Sequence, residues 1–272
     1  MEVLRGVDAA VHPRLQRSVA IKSWGGGLQH SNGLAVGETC AGFFAGAAAA
    51  CLAQQRRCRK PGRHAVMPKK GDFRYTPFRG SGYANWISKQ ILLGRYPYLE
   101  PSRVSNKEVG RRRLAEILGD GGVDVFVSLI SELPSQEEHG GRTIDGFTGY
   151  YDAVTALAAG NDPVHPLTPR QVRFLHFPID DLSTPSMSQL KDIVTKLEQE
   201  VRDGRTLYIH CWGGRGRAGT VGACMLGKLE GLSVDEALQR VQSQYSSREQ
   251  DGMRSPETAG QLSLVRQYFS EL

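Results

Sequence analysis

The 272-residue chain has few cysteines, five in all, and their placement excludes two common uses. Cys40, Cys51, Cys58, Cys211 and Cys224 are odd in number and form no C-x-x-C pair, so neither a disulfide framework nor a zinc site is supported. No metal and no cofactor is called for. A long hydrophobic run is also missing. The apolar stretch at residues 40–53 is 14 residues long, short of the roughly 20 that cross a bilayer, so no stable membrane span is expected. No segment repeats, and no Lys precedes Thr220 as a Walker-type nucleotide loop requires. Acidic residues are scarce only near the start. Residues 1–70 hold 11 Lys or Arg against 3 Asp or Glu, whereas residues 71–272 hold 23 against 25. The net charge of +6 therefore belongs to the N-terminal part and gives the remainder no argument for binding nucleic acid.

Residues 1–70 read as a basic, largely unstructured extension. Val3, Leu4, Val7, Val11, Leu15 and Val19 recur at helix-like spacing with Arg5, Arg14 and Arg17 between them, until Gly25, Gly26 and Gly27 interrupt the pattern. A basic, acid-poor, amphipathic segment has the composition of an organelle transit peptide, for plastid or mitochondrion. Two other readings stay open: a disordered tail on a cytoplasmic protein, or translation starting at Met67.

Residues 71–272 alternate strand and helix, the pattern of an α/β domain with a central, mostly parallel sheet flanked by helices. Residues 86–94 suggest an initial strand pair. Asn106 can cap a helix over 107–118, with Gly119 beyond its end. Residues 123–129 and 172–178 read as strands, 150–159 as a helix, and the polar segment 137–149 as a surface loop. Ser186 with Gln189 opens a helix with a clean apolar stripe, and Ser233 with Glu236 opens another. Ser255 and Pro256 read as residues at a helix start.

The run from His210 to Thr220 carries the chemistry. A buried strand over 206–209 feeds a loop with Gly213, Gly214, Gly216 and Gly219, and a helix follows over 221–229. Such a loop can fold into a concavity of inward N–H groups closed by a helix N-terminus, a ready anion site. Cys211 begins it, where those dipoles and Arg217 favour the nucleophilic thiolate. The Arg217 fork suits two phosphoryl oxygens at once. Thiolate and dianion in one place is the chemistry of phosphocysteine formation. The same run satisfies G-x-G-x-x-G, but a dinucleotide site needs a second parallel strand ending in an acid about 20 residues on. Ser233, Asp235 and Glu236 open a helix there instead.

His210-Cys211, five residues and Arg217 resemble the signature of the cysteine-dependent protein tyrosine phosphatases, and the Cys-Trp-Gly-Gly start resembles a small dual-specificity-like branch. The resemblance covers roughly residues 84–270, including residues 91–97, 177–181 and 255–258. It implies a phosphatase fold over 71–272. It also implies Cys211 as nucleophile, Arg217 as phosphate clamp, and phosphate binding by Trp212, Gly213, Gly214, Arg215 and Gly216 with Arg217. His210 would orient the cysteine by hydrogen bonding. By the Asp-x-x-Thr-Pro spacing, Asp181 matches the general acid, with Asp180 as a supporting like charge that favours its protonated form. Leu182 stands where the family often has Gly. Ala218 stands where a Ser or Thr hydroxyl usually assists thiolate departure. Glu257 occupies the place of a water-positioning glutamine, and Gln261, one turn on, is carried as a supporting residue.

The expected activity is hydrolysis of phosphate monoesters through phosphocysteine, with phosphotyrosine or mixed phospho-residues on a protein as the substrate. Arg215, as an added cation, leaves a phosphoinositide substrate open. The extension together with Ala218 leaves phosphorylated glucan open, and a slow phosphate-binding adaptor is the alternative outside enzymes.

Overall fold

The computed structural model describes Phe78, residues 82–249 and residues 251–272. The expected extension over 1–70, with its targeting and cysteine features, lies outside the described residues. Strands β1 (Ala84–Ser88) and β2 (Ile91–Gly94) form an antiparallel pair. Helix α1 (Lys107–Gly119) follows, with the Asn106 side chain accepting from the N–H groups of Glu108 and Val109. Then come β3 (Val125–Ile130), the short helix α2 (Gln136–His139), β4 (Thr143–Ile144), β5 (Phe147–Thr148), α3 (Tyr151–Ala158) and β6 (Arg173–Ile179). Helix α4 (Met187–Arg202), β7 (Leu207–His210), α5 (Arg217–Glu230), α6 (Val234–Arg248) and α7 (Ala259–Ser270) complete the chain.

The central sheet runs β1-β2-β7-β3-β6, and β2, β7, β3 and β6 are mutually parallel. Val125, Phe126 and Val127 of β3 and Leu207, Tyr208 and Ile209 of β7 are wholly buried, which is why these segments read as continuous apolar runs. Helix α5 packs against α4, α6 and α7. Its Val221, Ala223, Cys224 and Leu226 are fully buried, so Cys224 is a core thiol whose pKa burial pushes up. Because the four parallel strands point one way, the loops after each of them open on one edge of the sheet. Ligands of open α/β sheets bind at such an edge.

Two segments differ from the sequence expectation. The segment 137–149 is not a plain loop. Ser135 and Glu138 make a capping box that opens α2, and Asp145 (φ 50°) with Gly146 (φ 82°) turns β4 into β5. A capping box and an Asp-Gly hairpin signal are both present there, and the polar composition hid them. Ser255 and Pro256 do not start the last helix either. Thr258 caps α7, with Gln261 as its capping-box partner, and the Ser255 hydroxyl turns away to the Arg215 carbonyl.

Candidate active site

The loop after β7 is held by its carbonyls. The Cys211 carbonyl accepts from His210 Nδ1 at 3.3 Å and the Trp212 carbonyl from the Tyr96 N–H at 2.9 Å. Arg248 Nη2 donates to the Gly214 carbonyl at 3.1 Å, and Ser255 Oγ to the Arg215 carbonyl at 2.9 Å. Thr220 donates both its N–H and its hydroxyl to the Gly216 carbonyl. With the carbonyls tied to the scaffold, planar peptides leave their N–H groups facing the concavity. Among the described residues no protein acceptor engages the N–H groups of Trp212 to Gly216. Gly214 has φ 72°, and a Cβ there would overlap the Gly94 carbonyl, so the tight approach of loop to β2 requires glycine. Gly216 caps α5, and Arg217 is its first residue.

His210 is fully buried and receives the Tyr150 hydroxyl on Nε2 at 2.7 Å. A carbonyl can only accept, so Nδ1 carries the proton and Nε2 the lone pair. Burial pushes the His210 pKa down to about 3, which keeps the ring neutral. It therefore steadies the backbone of Cys211 through the carbonyl. Trp212 donates its indole N–H to Glu100 at 2.9 Å and packs edge-on against Phe147. Its ring is thereby fixed in the wall of the site.

Arg217 has a side chain only 2 % exposed and ties three loops together. Nη1 donates to Glu132 Oε2 at 2.8 Å and to the Ile179 carbonyl at 2.9 Å. Nη2 donates to Glu132 Oε1 at 2.9 Å and to Asp181 Oδ1 at 2.8 Å. Burial opposes the guanidinium charge, but the hydrogen bonds with Glu132 and the charges of Cys211, Glu132 and Asp181 prevail and hold its pKa above the ordinary arginine value. Glu132 likewise overcomes its own burial and sits below the ordinary carboxylate value.

The two acids after β6 take different places. Asp181 lines the mouth of the site and contacts Arg217, whereas the Asp180 side chain is exposed and lies outside that lining. The Asp180 carbonyl accepts from the Ser183 N–H at 3.1 Å, closing a turn with Leu182 at φ 58°. The chain thus keeps the left-handed turn that glycine favours, at a cost on the order of 1–2 kcal/mol for a leucine.

The mouth is a cavity of about 170 Å³ lined by Ser102, Arg103, Asp181, Leu182, Trp212, Gly213, Arg215, Tyr245 and Glu257. Arg215 is not the free cation the sequence suggested, because its Nη2 donates to Glu257 Oε1. The Gln261 amide lies beside the phosphate loop, with Nε2 3.1 Å and Oε1 3.2 Å from where a Cβ on Gly216 would be. Its Oε1 accepts from the N–H groups of Glu257 and Thr258, and its Nε2 donates to the Ser183 carbonyl. Glu132, Glu100, Arg248 and Tyr150 escaped sequence reasoning. Nothing local marks Glu132, Glu100 or Arg248 among the other charged residues, and Tyr150 reads as a helix-start residue. Among the described residues no three His, Cys, Asp or Glu side chains gather as a metal would need, and no helix is long and apolar enough to cross a membrane.

A family model for the phosphatase domain of Swiss Army Knife proteins, of the dual-specificity and tyrosine phosphatase kind, matches residues 157–262, from within α3 to within α7. Residues 157–262 thus carry a phosphatase domain of the dual-specificity and tyrosine phosphatase kind. Protein tyrosine phosphatase domain-containing protein 1 of Danio rerio is 24% identical over 187 residues, 68% of this chain and 22% of that protein. Cyclin-dependent kinase inhibitor 3 of Rattus norvegicus is 30% identical over 94 residues, 34% of this chain and 39% of that protein. The chain thus spans well under half the length of these relatives. The crystal structure of Tk-PTP in the active form is 26% identical, covers 70% of this chain and 98% of its own, and gives a TM-score of 0.48.

Proposed function

We propose that this chain hydrolyses phosphate monoesters at Cys211, acting on phosphotyrosine or mixed phospho-residues of proteins. The observation that carries the reading is the loop of inward N–H groups between Cys211 and Arg217, with Asp181 at its mouth. In the first step the thiolate sulfur attacks phosphorus, an S–P bond forms, the P–O bond to the leaving group breaks, and that oxygen takes the proton of Asp181. In the second, water attacks phosphorus, gives its proton to Asp181, and the S–P bond breaks to return the thiolate.

Donor bookkeeping supports the binding step. Arg217 has five N–H groups, and four point to Glu132, Ile179 and Asp181. When Asp181 turns to the leaving group, one Nη2–H joins the remaining Nε–H, giving two donors for two phosphoryl oxygens. Glu132 stays in place and holds the fork. The pairing of Arg215 with Glu257 removes the local feature that spoke for a phosphoinositide, so the phosphoprotein reading is preferred.

Turnover of an aryl phosphate and of phosphopeptides by wild type, Cys211→Ser and Asp181→Ala tests this. Cys211→Ser is expected to abolish turnover and keep phosphate binding. Asp181→Ala is expected to lower kcat by ~10²–10⁴-fold on poor leaving groups. A wild-type protein that binds phosphate without turnover would be an adaptor. A larger loss in Asp180→Ala would reassign the acid.

A further inference from the structure

The Arg215 and Glu257 pair forms part of the mouth. Arg215 Nη2 meets Glu257 Oε1 at 2.5 Å, with side chains 23 % and 21 % exposed. Asp251 Oδ2 stands behind at 3.8 Å from Arg215 Nη1, itself taking the Tyr245 hydroxyl at 2.6 Å. Glu257 is fixed from below, because its N–H donates to Gln261 Oε1 at 2.9 Å and Gln261 is anchored on Ser183. Its second oxygen lies over the phosphate loop, 3.1 Å from where a Cβ on Gly216 would be. A carboxylate is thus built into the rim of an anion site, clamped to the one loop cation that could widen the site for a second anion.

We propose that Glu257 restricts this site to substrates with a single phosphoryl group, by holding Arg215 as a neutral pair and presenting its own charge to any second phosphate. The inference rests on the reading of the loop from Cys211 to Arg217 as a phosphoryl site. One dianion is met by the loop N–H groups and Arg217. A second, within reach of Arg215, would have to share that guanidinium with Glu257 and lie against Glu257 and Asp251. An ordinary surface ion pair would contribute little either way. This one is about a fifth exposed and borders the anion, so a removed negative charge acts at close range on whatever the site binds. Arg103 also lines the mouth, outside the phosphate loop, and its charge acts on Glu100.

The test compares two peptides of one sequence, one carrying a single phosphotyrosine and one carrying a second phosphoryl group two residues away. Wild type is expected to give a ratio of kcat/KM, double over single, near or below one. Glu257→Gln keeps the shape and removes the charge. It is expected to raise that ratio about tenfold, with a larger rise in Glu257→Gln/Asp251→Asn. Arg215→Ala added to Glu257→Gln is expected to cancel the gain. In parallel, calorimetry on the Cys211→Ser background measures pyrophosphate against inorganic phosphate, a readout that needs no turnover. Glu257→Gln is expected to tighten pyrophosphate about tenfold relative to phosphate. An unchanged peptide ratio and an unchanged pyrophosphate preference would overturn the inference, as would a wild type that already favours the doubly phosphorylated peptide tenfold. If no phosphopeptide is turned over by any variant, the catalytic reading fails, while the pyrophosphate ratio still decides the role of Glu257.

Discussion

Glu132 holds Arg217 with both of its oxygens, so Glu132→Ala separates the architecture of the site from its chemistry. The substitution removes two hydrogen bonds of 2.8 and 2.9 Å from a guanidinium whose side chain is 2 % exposed. Removing one partner of a buried ion pair costs about 3–5 kcal/mol, because the remaining charge is left uncompensated. Two features reduce that figure here. Glu132 is itself 24 % exposed, and Arg217 keeps the Ile179 carbonyl and Asp181. A loss of about 2–3 kcal/mol is therefore expected. For a domain of this size that lowers Tm by about 4–12 °C. Glu132→Gln retains one acceptor and the side-chain shape, so its loss should be roughly half. Asp181→Ala, by contrast, removes a group 49 % exposed, and its stability cost should stay below about 1 kcal/mol. The assay is thermal melting of the three variants beside wild type, with kcat/KM on an aryl phosphate. Glu132→Ala should lose both stability and turnover, Asp181→Ala turnover alone. A Tm for Glu132→Ala within about 2 °C of wild type would show that Ile179 and Asp181 suffice to hold Arg217, and the reasoning would fail.

Three further outcomes are expected. Ala218 leaves the thiolate without a neighbouring hydroxyl, and the Thr220 hydroxyl is committed to the Gly216 carbonyl at 2.9 Å. Phosphocysteine should therefore accumulate and a fast aryl phosphate should give a burst in stopped flow. Ala218→Ser should raise steady-state kcat by roughly 10- to 150-fold, from a charged hydrogen bond of about 1.5–3 kcal/mol, and an absent burst would count against this. Burial lowers the His210 pKa from 6.5 to about 3, so below pH 6.5 the unfolded chain binds more protons and stability falls as pH drops from 6.5 toward 3. Buried His139 works in the same direction, so the informative comparison is wild type with His210→Asn. Between pH 6.5 and 5 wild type should lose about 2 kcal/mol more in denaturant titrations, and parallel curves would refute this. A fragment of residues 71–272, which we propose as the catalytic domain, should melt cooperatively with its activity intact, and loss of either would show that the preceding residues contribute.

The sequence determined the local structure and the identity of the chemistry. Asn106, Ser186 and Ser233 start helices where their caps predict, because a cap is settled by residues three apart. Cys211 and Arg217 share one loop, and their spacing makes the anion site legible without any other part of the chain. Ser135 with Glu138 and Asp145 with Gly146 carry local signals for a helix start and a hairpin turn that the polar composition around them masks. Only the tertiary structure decided what surrounds that loop. Glu132 lies 85 residues from Arg217, Asp181 36 residues away, and Glu257 42 residues beyond Arg215. These meet because β3, β6 and β7 run parallel and open their following loops on one edge, while α7 returns beside the helix that starts at Arg217. No residue in isolation encodes those pairings. A lone glutamate or arginine carries the same charge wherever it falls, and the fold alone decides which opposite charge it will face.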